Sequence, residues 1–179
     1  MAASIGRVWL MGSRCTEPIT RRDLKRIAAV ARREREDFFG LNPAWALLYG
    51  KRLLCVALAG EAGAHAVNGV TGFERFDVWS FYAVHPDAAF PTHRKAREDY
   101  GDSHFGRDPA LPDSFKGRAV EVQGRSIEAK PGDDPVTALQ RYLRAKPTPT
   151  AGELARQTIV LLEPDALLGY EAWPTLITG

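Results

Sequence analysis

Cysteine is scarce in this sequence, and its two cysteines stand alone. Cys15 and Cys55 are too few for a disulfide framework in a chain of 179 residues. Neither belongs to a Cys-x-x-Cys motif, so a zinc or redox site built on paired cysteines is excluded. Reduced thiols are typical of the cytoplasm, and the sequence therefore predicts a cytoplasmic protein.

Long apolar runs and a one-sided charge are also missing. No run reaches the roughly 20 residues that a membrane span needs, so no membrane partner is expected. The chain has 24 Lys and Arg against 22 Asp and Glu, and this balance does not demand a nucleic-acid partner. It also lacks the P-loop, dinucleotide-binding and G-x-S-x-G signatures, which disfavours P-loop, Rossmann and serine-hydrolase functions.

The chain shows neither an internal repeat nor a linker, so one domain over residues 1–179 is predicted. Helical and strand patterns are mixed along it, which favours an α+β fold with a mixed β-sheet and packed helices. The predicted parts are an N-terminal segment (1–19), a basic amphipathic helix (20–39), a sheet core (53–127) with a long loop (87–116), and two C-terminal helices (134–163).

The first helix carries most of the local positive charge. Thr20 and Asp23 have the spacing of a capping box, and Gly40 is expected to end the helix. Its face within 21–35 is either solvated and paired within the helix, or a surface for the phosphates of a nucleotide or nucleic acid. The basic residues are Arg21, Arg22, Lys25, Arg26, Arg32, Arg33 and Arg35.

Two C-terminal helices are predicted from their start signals. Asp134 followed by Pro135 is typical of a capped helix start. Thr150 and Glu153 form an S/T-x-x-E box, which predicts a last helix through Leu162.

Two acidic residues stand on predicted strands. Asp77 lies in the apolar segment 76–84, and Glu121 lies between Val120 and Val122. Neighbouring strands can bring such carboxylates together, and clustered carboxylates hold Mg²⁺. The metal can then orient phosphates for an in-line displacement.

The order of these elements resembles the nucleotidyltransferase superfold. The segment Gly60-Glu61-Ala62-Gly63 is similar to its glycine turn at a helix start, Phe76-Asp77-Val78 to its acidic strand, and Val120-Glu121-Val122 to the strand of its third acid. Segment 72–82, Asp99-Tyr100-Gly101 and segment 117–126 also resemble an uncharacterised group of bacterial proteins.

The resemblance implies Mg²⁺-dependent transfer of a nucleotidyl group from a nucleoside triphosphate to an unknown acceptor. Asp77 and Glu121 would be the catalytic metal ligands. Gly60 and Gly63 would let the backbone approach the phosphates. Phosphate charge would be neutralised by Arg75, Arg118 or Arg125. Because Arg75 stands where the superfold has its first acid, a catalytically degenerate protein is implied as the other outcome.

Two alternatives use other features of the chain. Asp77 with Glu121-Val122-Gln123 is similar to the acid and Glu-x-Lys motif of restriction-type metal-dependent nucleases, with Gln123 in place of lysine. The loop 87–116 mixes basic residues with spaced aromatics, which is typical of a non-enzymatic surface for nucleic acid or a protein partner.

Overall fold

A computed structural model describes residues 14–174, which form one six-stranded mixed sheet and five α-helices. The strands are β1 (Leu53–Ala59), β2 (Phe76–Ala83), β3 (Lys95–Asp99), β4 (Ala119–Ile127), β5 (Ile159–Glu163) and β6 (Glu171–Trp173). The helices are α1 (Arg21–Leu41), α2 (Pro43–Tyr49), α3 (Gly60–Asn68), α4 (Pro135–Ala145) and α5 (Pro149–Leu154). The predicted α+β class with a mixed sheet is confirmed. Most of the predicted N-terminal segment 1–19 lies outside the described residues.

The sheet has the order β3-β4-β2-β1-β5-β6. β2 and β4 are parallel neighbours, whereas the other neighbouring pairs among the described strands are antiparallel. The long connection between β2 and β4 allows this parallel pairing, because it carries the chain back to the starting end of the sheet.

The two faces of the sheet carry separate cores. On one face, α1 and α3 pack on strand residues that include Val56, Val78 and Val122. On the other face, α4 and α5 pack on the alternate residues, which include Trp79. Asp77 and Glu121 share the side-chain parity of Trp79, so they belong to the face of α4 and α5.

The start of α1 is as the sequence predicts. The Thr20 hydroxyl accepts a hydrogen bond from the Asp23 backbone N–H, and the Asp23 carboxylate accepts one from the Thr20 backbone N–H. The predicted end is wrong by a short distance: Gly40 is still helical, and the helix ends after Leu41 with Asn42 as its cap. The helix therefore continues past the glycine.

The prediction of a last helix through Leu162 is wrong. Thr148 rather than Thr150 caps α5, which ends at Leu154, and the apolar residues 159–162 form β5. β5 lies between β1 and β6 and is buried along its whole length. A strand buried on both faces is continuously apolar, and its pattern cannot be told from that of a buried helix.

The segment 87–116 is more ordered than predicted, since it contains β3. This strand pairs with β4 at the edge of the sheet, and its side chains are largely exposed. Asp99 organises the return of the loop by accepting hydrogen bonds from the backbone N–H groups of Gly101, Lys116 and Gly117. Within residues 14–174, no helix has the length and apolar character needed to cross a membrane.

Candidate functional site

The sheet brings Asp77 and Glu121 side by side. They are direct register partners on the parallel strands β2 and β4, and both side chains point to the same face. The residues on either side of each acid are apolar, and their side chains point into the core on the other face of the sheet. Because side chains alternate along a strand, this leaves the two acids on the same face. The carboxylates that the sequence analysis singled out therefore lie together.

A guanidinium lies between these two carboxylates. Nε of Arg75 is 3.0 Å from Oδ1 of Asp77 and 3.4 Å from Oε2 of Glu121. Arg75 lies in the bend that immediately precedes β2, and from there its side chain reaches both carboxylates. A positive side chain thus takes the position between the acids.

Two further cations reach Glu121 from the edge strand β3. Nη2 of Arg97 lies 2.7 Å from Oε1, and Nζ of Lys95 lies 2.8 Å from Oε2. The carboxylate is 1% exposed, whereas the side chains of Arg75, Lys95 and Arg97 are each about half exposed. Arg75, Lys95 and Arg97 are called the cation cluster below; with Asp77 and Glu121 they carry one excess positive charge.

Burial and the cations act differently on the two acids. Burial raises the pKa of Asp77, and the hydrogen bond from Arg75 offsets only part of this effect. Burial also opposes ionisation of Glu121, but hydrogen bonds from Lys95 and Arg97 and the charge of Arg75 together hold its pKa below the usual value. Glu121 is therefore the firmly ionised anchor of the cation cluster.

Gly60 forms the neighbouring edge of the site. It has a φ of +66° at the start of α3, which favours glycine, and a Cβ there would stand 3.0 Å from Oδ2 of Asp77. A cavity of about 280 Å³ opens at this edge and is lined by Arg14, Gly60, Glu61, Glu74, Arg75 and Asp77. Arg14 is paired with Glu61 at 2.7 Å across it.

Gly63 lies away from this cavity and serves packing. A Cβ at Gly63 would stand 2.5 Å from the carbonyl oxygen of Thr158 and 2.9 Å from that of Leu58. The absence of a side chain therefore lets α3 approach the backbone of the sheet closely. Gly63 is one of the residues predicted to meet phosphates; the structure shows this packing contact, and contact with phosphate stays a prediction.

Arg118 and Arg125 have described contacts elsewhere in the fold. Arg118 is buried and donates a hydrogen bond from Nε to the carbonyl oxygen of Phe105, within the β3–β4 connection. Arg125 lies at the far end of β4, over the ring of Trp79, and lines a second and larger cavity. Of the three arginines predicted to neutralise phosphate charge, Arg75 is shown to contact both Asp77 and Glu121.

The basic side chains of α1 are largely engaged by the protein itself. Arg32 and Arg35 both bind the Glu163 carboxylate, and Arg21 and Arg26 donate to backbone carbonyl groups. Within residues 14–174, the basic side chains of this helix that have neither a described ion pair nor a described hydrogen bond are Arg22, Lys25 and Arg33. A continuous basic face for nucleic acid is thus interrupted, and nucleic-acid binding through 21–35 stays a prediction.

Lys95 and Arg97 are the site residues that sequence reasoning missed. They lie in the segment 87–116, whose prolines and charges hide a short exposed strand. The available signal was the alternation of charged residues at positions 95, 97 and 99, which places them on one face of a strand. Their pairing partner could not be read from that signal.

The donor set does not fit a magnesium ion in this arrangement. Mg²⁺ takes carboxylate and water oxygens in octahedral geometry, and the facing oxygens of Asp77 and Glu121 instead contact Arg75, with Lys95 and Arg97 also on Glu121. Across residues 14–174, no group of three or more His, Cys, Asp and Glu residues is arranged to hold a metal ion. Side-chain cations therefore neutralise both carboxylates in this arrangement.

No protein-family model matches the chain, no curated protein matches it, and no solved structure matches it. The interpretation of the site therefore rests on its own geometry and chemistry.

Proposed function

We propose that the chain binds the triphosphate of a nucleoside triphosphate on the cation cluster, as a catalytically degenerate protein with a nucleotidyltransferase-like arrangement of strands. The observation that carries the proposal is the in-register pair Asp77 and Glu121 with three cations around it. The pair supports the resemblance to the superfold, and the cations indicate which charge the site accepts.

The cations are held in place but remain accessible. The buried Glu121 carboxylate contacts all three of them, which reduces the side-chain entropy that a ligand would otherwise have to remove. Two are guanidinium groups, whose planar N–H donors match phosphate oxygens in bidentate geometry. A triphosphate therefore finds several ordered donors on one surface.

The base and sugar have a separate place beside the phosphates. The cavity at Gly60 adjoins Arg75, and the missing Cβ of Gly60 keeps its backbone open toward Asp77. Two pairs of opposite charge and the carboxylate of Glu74 line this cavity, which favours hydrogen bonds with the hydroxyl groups of a ribose. Binding by the cation cluster needs no metal in this arrangement, since the cations take the role of neutralising phosphate.

The proposal is tested by calorimetric titration with ATP, GTP, CTP, UTP and inorganic tripolyphosphate in EDTA. We expect nucleoside triphosphates and tripolyphosphate to bind, with affinity that falls as salt rises. Arg97→Ala removes charge-assisted hydrogen bonds and should weaken binding about tenfold or more. Arg22→Ala, an exposed arginine on α1, is the matched control and should leave binding unchanged.

Asp77→Asn distinguishes this proposal from a magnesium-dependent transferase. Removing the carboxylate charge frees Arg75 for phosphate, so binding in EDTA should stay the same or become tighter. If binding requires Mg²⁺ and disappears in a folded Asp77→Asn variant, the magnesium site that the sequence predicts is supported and the cation cluster is not. Absence of binding by every one of the five ligands would refute the proposal.

A metal-dependent nuclease, in which Arg75 would have to leave Asp77 and Glu121 before Mg²⁺ could bind them, is the second candidate, and one observation favours it. Lys95 is the register partner of Gln123, the residue that replaces lysine in the nuclease-like motif, and its ammonium lies 2.8 Å from Glu121. A lysine from the neighbouring strand thus stands beside the glutamate. Nicking of supercoiled plasmid DNA in Mg²⁺, abolished by Lys95→Met, would support this candidate.

A further inference from the structure

A cavity larger than the one at Gly60 lies at the opposite end of the sheet from the cation cluster. Its volume is about 750 Å³, within the range of small-molecule sites. Arg125, at its wall, follows Glu121 by four residues on β4, a separation of roughly 13 Å along the strand. The cavity opens beyond the last residues of β2 and β4, the parallel strands, between α4 and the segment that follows β2.

Arg125 is a cation without a carboxylate partner in this cavity. Its guanidinium donates to the carbonyl oxygen of Gly124 at 2.7 Å and reaches the Thr150 hydroxyl only at 3.5 Å. No carboxylate among residues 14–174 forms an ion pair with it. Trp79 supports the guanidinium from beneath, with 5.1 Å between Cζ and the ring centre. The remaining donor capacity faces the cavity.

A second unpartnered polar group lies in the same wall. Tyr142 of α4 is 8% exposed, and its hydroxyl forms no hydrogen bond with another residue in the described part of the chain. Its ring packs against Phe81 with 6.0 Å between centres, which fixes the direction of the side chain. Because Tyr142 lines the cavity, its hydroxyl is available to donate a hydrogen bond to a ligand there.

The rest of the wall is mainly apolar. Its apolar part consists of Val84, Ala89, Ile127 and Pro147. The polar side chains besides Arg125 and Tyr142 are His93, Glu128 and the hydroxyl groups of Thr92, Ser126, Thr148 and Thr150. Such a surface takes an apolar body, while Arg125 and Tyr142 supply donors for one anionic end.

We propose that this cavity binds a small organic acid, whose carboxylate is held by Arg125 and Tyr142 and whose apolar body lies against Val84, Ile127 and Pro147. One guanidinium balances the single charge of a carboxylate. A phosphate monoester carries a charge of about −1.5 to −2 at neutral pH, and Glu128 in the same wall repels that larger charge. The site is independent of the nucleotide site proposed above.

The test uses three probes that differ at the polar end: 4-phenylbutanoate, its uncharged amide, and phenyl phosphate. Calorimetric titration should show binding of the carboxylate, with the amide about tenfold weaker or worse, because it loses the charge-assisted pairing with Arg125. Equal affinity for acid and amide would overturn the proposal, as would tighter binding of phenyl phosphate or the absence of binding by every probe at 10 mM, roughly the weak limit of specific sites.

Variants assign the contact to named groups. Arg125→Met should abolish binding of 4-phenylbutanoate, Arg125→Lys should weaken it by losing the planar fork, and Tyr142→Phe should weaken it about tenfold. Arg22→Met is the control on the other face of the sheet, and Arg97→Ala should leave this affinity unchanged. Unchanged binding in folded Arg125→Lys and Tyr142→Phe variants would overturn the assignment even if Arg125→Met does not fold.

Discussion

Replacing Gly63 with alanine tests whether this glycine serves packing or ligand contact. In Gly63→Ala, the new methyl group would meet the carbonyl oxygens of Thr158 and Leu58 at 2.5 and 2.9 Å. Both neighbours are backbone atoms of the sheet region, so they cannot rotate away as a side chain can. α3 would have to move outward by about half an ångström to relieve the contact, a shift that a close-packed interior resists.

The magnitude follows from two opposing effects. Alanine is favoured over glycine inside a helix by about 0.5–1 kcal/mol. Overpacking costs about 1–3 kcal/mol, and it prevails because two contacts are too short at once. We expect a net loss of about 1–2 kcal/mol, which corresponds to a fall in Tm of roughly 2–8 °C for a chain of this length.

Thermal unfolding followed by circular dichroism measures this change, with Gly152→Ala as the control. Gly152 lies in α5, and nothing stands within 4 Å of a Cβ there. That variant should gain about 0.5–1 kcal/mol. An unchanged Tm in Gly63→Ala, together with weaker nucleotide binding, would refute the packing role and restore the ligand contact that the sequence predicts.

Three further predictions concern stability. Burial opposes ionisation of Asp23, but hydrogen bonds from Thr20 and Tyr100 outweigh burial and lower its pKa. The free energy of unfolding should therefore fall as pH drops below about 4. In urea unfolding, the free energy of unfolding of Asp23→Asn should depend less on pH in this range. Asp134→Ala removes the cap of α4 and should cost about 1 kcal/mol in the same assay. Ile159→Ala in β5 should cost about 2–4 kcal/mol and Leu47→Ala, at an exposed position, under about 0.5 kcal/mol; equal losses would contradict the burial of β5.

Sequence patterns predicted those helices and strands in which one face is buried and the other is not. The capping box at Thr20 and the strands around Asp77 and Glu121 follow from patterns that side-chain alternation or helical spacing makes visible. β5 was not predicted, because a strand buried on both faces has no alternation of apolar and polar residues. β3 was not predicted, because it lies exposed at the edge of the sheet and carries charged residues where most strands carry apolar ones.

The sequence predicted the two acids of the site, because both lie on strands with a clear apolar pattern, but it did not predict the cations around them. The proximity of Asp77 and Glu121 follows from their strands, but Lys95 and Arg97 reach Glu121 through an edge pairing that the sequence does not specify. The prediction that Arg125 belongs to the same site as Glu121 shows a second reason why sequence alone was insufficient. Arg125 shares β4 with Glu121, yet four residues of extended chain carry it to a different cavity.

The most direct test of the cation cluster is the dissociation constant of ATP for the wild type and for Asp77→Asn, each measured in EDTA and in excess Mg²⁺. The cluster predicts binding in EDTA that Asp77→Asn preserves or strengthens, because the substitution releases Arg75 toward phosphate. Binding that appears only with Mg²⁺ and is lost in the folded Asp77→Asn protein would contradict it.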